Sequence, residues 1–98
     1  MNRCPTALLT CGWFLFTAPL APDGKVRTGL PLSEWSHEKS FDTAKECEAF
    51  KEDARPYLKA TREWGERENK PPHLNPAWSL YAPIVLGRCI SSDAVKLK

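Results

Sequence analysis

The sequence predicts a small α+β domain: an antiparallel sheet of about three strands packed against one or two helices, in the order β-β-α(-α)-β. Three observations carry this expectation. "GWFLFT" near the start and "IVLGRCIS" near the end are compact runs of aromatic and β-branched residues, the composition of strands. Between them "KSFDTAKECEAFKEDARPYLK", Lys39 to Lys59, takes up an apolar rhythm of three- and four-residue steps, which marks a helix. The 98 residues, 42% hydrophobic and 27% charged, suffice for one globular core and leave no room for a second.

In the first strand, Trp13, Phe14, Leu15, Phe16 and Thr17 are all good strand formers. A Pro/Gly/Asp-rich connection, Ala18 to Pro31, leads to "PLSEWSHEKSF". There Trp35, His37, Lys39 and Phe41 fall on one face at period two, with Ser36, Glu38 and Ser40 on the other. Both faces carry polar groups, so this reads as a half-exposed antiparallel strand, paired with "WFLF" as a long-loop hairpin.

The helix start is well marked. Asp42 or Thr43 supplies the cap, and with Thr43 in that role Glu46 completes a capping box, Phe41 acting as a hydrophobic staple. Cys47, Phe50, Ala54, Tyr57, Leu58, Thr61 and Trp64 form the apolar stripe, while Lys45, Glu48, Lys51, Glu52 and Lys59 fill a solvated face. Pro56 lacks an N–H and collides with the carbonyl four residues back, so a break or kink is expected near Arg55. Gly65 and "ENKPPHLNP" end the helical region. Asn75-Pro76 reads as a cap followed by proline in the first helical position, opening a short helix through Trp78 and Tyr81 that stops near Pro83. "IVLGRCIS" supplies the last strand, with Gly87 at its bulge or its true start.

The N-terminus has two readings. One early arginine, an apolar stretch from Ala7 to Ala18 and then prolines outline a secretory signal, but with Phe16 or Pro19 where a small residue is wanted before cleavage. A lipid anchor at Cys11 meets Thr10 in place of the small residue wanted before it. The other reading makes "GWFLFTAPL" simply the first strand. The combined expectation is an export-signal remnant or leader over residues 1–11, one domain over 12–92 and a polar tail over 93–98. The apolar stretch is too short to span a bilayer, which takes about 20 residues.

Cys47 on the helix stripe and Cys89 in the last strand are placed to meet where helix packs on sheet. In the chain-entropy model, closing a loop of about 42 residues stabilises the fold by roughly 4 kcal/mol, a large share of the ~5–15 kcal/mol typical of a domain. That bridge requires an oxidising compartment; in a reducing one the same residues are two buried free thiols acting as small hydrophobes.

Taken together, "GWFLF…PLSEW…SFDTAKECE…RCISSDAVKLK" resembles a group of small uncharacterised bacterial proteins, often with export signals. They share an early Trp-aromatic strand, a "PLSxW" segment, "SFDTAxECE" and a late "RC[IV]xSDxxxLK". The resemblance covers both ends of the chain and leaves Tyr57 to Val85 unmatched. It implies an exported, periplasmic or secreted protein in which Cys47 and Cys89 are paired, and it implies no catalytic residue.

Other chemistry finds little support. A net charge of +2, with 14 basic and 12 acidic residues interleaved, gives no footprint for nucleic acid. No Gly-rich phosphate loop, HExxH or GxSxG is present. A zinc site drawn from Cys4, Cys11, Cys47, Cys89, His37 and His73 lacks the close ligand pairs that structural sites use. A cysteine nucleophile at Cys47, served by His37 or His73, would stand near a helix N-terminus but on its apolar stripe, without a local signature. Glu46 and Glu48, or Glu63 and Glu66, read as a charged helix face rather than a glycosidase pair. Trp13 and Trp35 are the candidate aromatic interaction patch for a protein or small-ligand partner; the competing reading makes the four tryptophans core. The reading is therefore a non-catalytic exported accessory or binding protein, with no cofactor or metal. The alternative is an intracellular interaction module with reduced thiols, and behind both stands a thiol-dependent enzyme or redox protein.

Overall fold

The computed structural model describes residues 12–92. The leader over 1–11, with Cys4 and Cys11, and the tail over 93–98 lie outside the described residues. The chain runs through strand β1 (Trp13–Thr17), strand β2 (Ser36–Phe41), helix α1 (Ala44–Glu68), helix α2 (Pro76–Val85) and strand β3 (Arg88–Ser91). The sheet order is β2-β1-β3 and both pairings are antiparallel, so the expected α+β architecture is the one adopted. No helix among the described residues is long and apolar enough to cross a membrane.

β1 takes the centre because both of its faces are apolar. Leu15 and Thr17 are buried on one side, while Phe14 and Phe16 project from the other. Trp13 pairs with Phe41 and Leu15 with Lys39, but Phe16 pairs with His37, so Glu38 is the extra residue of a β-bulge. The bulge corrects the expected alternation: Lys39 and Phe41 share the helix side of the sheet, and His37 joins the opposite side.

α1 begins as the sequence indicates. Thr43 Oγ1 accepts from the Glu46 amide at 3.1 Å, and Glu46 Oε1 accepts from the Thr43 and Asp42 amides at 3.2 Å each. Phe41 reaches forward to Phe50, ring centroids 5.5 Å apart. The helix does not end at Pro56; it runs on for 25 residues, past Gly65, to a left-handed Asn69 at φ 55°. The reason is exposure. The carbonyl that Pro56 leaves without an N–H belongs to Glu52, an exposed residue on the solvent side of the helix, while buried Ala54 and Leu58 hold both flanks.

Pro83 repeats the lesson. Asn75 Oδ1 caps α2 by accepting from the Ala77 amide at 3.0 Å, but the helix passes Pro83 and ends at Val85. The carbonyl affected there is that of exposed Ser79. Ile84 and Val85, expected in the last strand, therefore form the final turn of α2, and Gly87 stands at the strand's true start. A Cβ on Gly87 would meet the Phe16 carbonyl at 2.8 Å, so only glycine lets β3 enter beside β1.

One face of the sheet carries the core. Leu15 and Cys47 are fully buried and pack with Ala54, Leu58, Ala82 and Val85 from the two helices. Trp13, Phe41 and Cys89 close the cluster from the sheet side. The loop between β1 and β2 is tied to α2: the Trp78 indole N–H donates to the Gly24 carbonyl at 2.7 Å, across 54 positions of sequence. Gly24 holds φ 88° against the His73 side chain, where any Cβ would collide at 2.2 Å.

Candidate functional site

The cysteines settle first. Cys47, in the first turns of α1, is bonded to Cys89 of β3, closing 42 residues of chain. Cys89 pairs with Leu15 across the ladder and so points to the helix side, where Cys47 lies at 0% exposure. The helix N-terminus next to Cys47 has no thiolate to stabilise, because its sulfur is already in the bond.

The opposite face of the sheet is the candidate site. Alternation places Phe14 and Phe16 of β1, His37 and Ser40 of β2, and Arg88 and Ile90 of β3 there. None of Phe14, Phe16 and Ile90 belongs to the core cluster that the helices cover. The Phe14 and Phe16 rings stand edge to face at 6.2 Å, and the His37 ring lies against both, 4.7 Å from Phe14 and 5.6 Å from Phe16. His37 Nε2 and Ser40 Oγ are hydrogen-bonded at 3.0 Å, which fixes the imidazole over the phenyl rings. At the other end, the Arg88 guanidinium lies 5.8 Å from the Trp35 ring centroid, a cation–π contact. Its result is a short aromatic platform with a cation at one end.

Trp13 and Trp35, the candidate aromatic patch, are set at opposite ends of the sheet. Trp13 packs toward the helices at the Phe41 end of β1, whereas Trp35 adjoins Ser36, which pairs with Thr17 at the far end. Trp35 is 7% exposed and its indole N–H donates to the Leu30 carbonyl at 2.9 Å. Trp35 is held in a buried position by its area and its N–H partner, Trp13 is half-buried against the core, and the accessible aromatic surface passes to the phenylalanines. The sequence carried the signal: both parities of "WFLFT" are apolar, and helices from one segment cover one face of a sheet only.

The remaining candidates are scattered. His73 packs on Gly24 in the loop, away from His37 on the sheet. Glu46 is spent on the α1 cap, Glu48 lies 3.5 Å from Lys51, and Glu63 and Glu66 are exposed. Among the described residues no three His, Cys, Asp or Glu side chains converge as a metal site. Comparison with known proteins adds no assignment: no family model, no curated protein and no solved structure matches this chain.

Proposed function

We propose that this chain is an exported bacterial accessory or binding protein, non-catalytic, whose small fold is held by Cys47–Cys89. The observation that carries the reading is the bond itself, which joins the two layers of the domain where both cysteines face the core. Such bonds persist in oxidising compartments and matter most in small domains. The apolar N-terminal stretch and the resemblance of the "SFDTAKECE" and "RCISSD" segments to exported bacterial proteins point the same way. A binding role rests on the aromatic platform of Phe14, Phe16 and His37, which the helices leave open.

The test is intact mass with thiol alkylation, before and after reduction, on protein made from its own start in an export-competent bacterium. Exported protein has lost N-terminal residues and alkylates at Cys47 and Cys89 only after reduction. Full-length chains with free Cys47 and Cys89 overturn the reading in favour of an intracellular interaction module.

A further inference from the structure

The strand positions on the open face, Phe14, Phe16, His37, Ser40, Arg88 and Ile90, include a permanent cation and no acidic residue. Arg88 makes a ring contact with Trp35 and no ion pair among the described residues. Its planar donors are thus offered to an anion, beside a row of rings offered to something apolar. We propose that this face docks an extended acidic peptide, laying alternate aromatic side chains on Phe14 and Phe16 and a carboxylate on Arg88; the proposal rests on the binding-protein reading above.

The spacing fits an extended chain. Same-side residues of a strand repeat every ~6.8 Å, close to the 6.2 Å between the Phe14 and Phe16 rings. Arg88 stands directly across the ladder from Phe16, so the carboxylate belongs on a residue flanking the aromatic one. Single-stranded nucleic acid would also stack on rings, but it needs a track of cations along its phosphates, and among the described strand positions of this face Arg88 is the one permanent charge. The charges of Glu38 and Lys39 do not enter: the bulge puts Glu38 beside Leu80 and Pro83 of α2, and Lys39 over Phe50 of α1.

The experiment is a titration of the oxidised full chain, followed by amide chemical shifts. The probes are the acetylated, amidated pentapeptide of alternating phenylalanine and aspartate, its counterpart with lysine for aspartate, and a short oligothymidylate. The acidic peptide is expected to bind, with shifts confined to Phe14, Phe16, His37, Arg88 and Ile90, and Arg88→Gln weakens it about tenfold. Phe16→Ser abolishes binding; Arg88→Gln removes the charge at an exposed position, so it reads the site even if Phe16→Ser unfolds. Equal binding of both peptides overturns the charge assignment. Binding of the oligothymidylate in place of the peptide overturns the peptide class while leaving a binding protein. No shifts with any probe removes this face as a docking surface, and sedimentation showing a dimer buried through the same face would also overturn the proposal. Export is read separately, by the mass and thiol state of the chain.

Discussion

His37 and Lys39 are two positions apart on one strand and project from opposite faces of the sheet. His37 lies against Phe14 and Phe16, whereas the Lys39 ammonium sits 4.7 Å from the Phe50 ring centroid of α1. The bulge at Glu38 makes the switch: odd-numbered positions of β2 face the aromatic platform before it, at His37, and the helices after it, at Lys39 and Phe41.

Deleting Glu38 should be tolerated about as well as mutating it. Removal leaves His37 and Lys39 adjacent, and adjacent strand residues point to opposite faces, so every pair from Trp13–Phe41 to Thr17–Ser36 is kept on an unbulged ladder. Glu38→Ala, at an exposed side chain, should stay within about 0.5 kcal/mol of the parent. Urea unfolding of the two variants decides it; a deletion that costs about 2 kcal/mol or more, the worth of one buried large side chain, would sink the bulge account.

Replacing both members of the bridge, Cys47→Ala with Cys89→Ala, should lower unfolding stability by roughly 4 kcal/mol. Reducing the parent protein should have the same effect within experimental scatter. Denaturant midpoints with and without reductant test this, and an unchanged midpoint would mean that packing around Leu15 holds the layers together unaided.

Thr43→Ala removes the acceptor for the Glu46 amide and should destabilise by about 1 kcal/mol, with Thr43→Ser close to neutral. The difference between the two in thermal unfolding isolates the hydroxyl from the methyl. If serine is as damaging as alanine, the cap is not the cause.

Gly65→Ala should reverse the usual sign. Alanine in an α-helix normally stabilises by about 1 kcal/mol relative to glycine. Here a Cβ would come within 2.7 Å of the Lys70 carbonyl oxygen and 3.3 Å of the Pro72 nitrogen, where the chain turns back after α1. A net loss is expected, and a more stable Gly65→Ala protein would show that the turn moves aside freely.

What the sequence made legible was local chemistry with a single solution. The Thr43–Glu46 box, the Asn75-Pro76 start and the stripe carrying Cys47 each needed only neighbours on the same helix. The misread features depend on what lies across the fold. Pro56 and Pro83 are tolerated where the carbonyls they strand belong to exposed residues, Glu52 and Ser79, which periodicity does not report. The bulge falls at a glutamate, without the glycine that would advertise it. Tyr57, on the predicted stripe, is 57% exposed and instead stacks on Tyr81 at 5.0 Å across the helix pair. The platform was legible only in part: Phe14 and Phe16 followed from two apolar parities, but His37 could join them only once the register had slipped at Glu38.

β1 is the first strand along the chain and the middle one in space, and the strand that closes its second side comes last. During synthesis the β1–β2 hairpin must wait, with one backbone edge unclaimed, until Arg88–Ser91 has left the ribosome. Cys89 lies on that same strand, so the covalent bond cannot form until the strand that completes the sheet is available, and it fastens the last element of the sheet to the first helix.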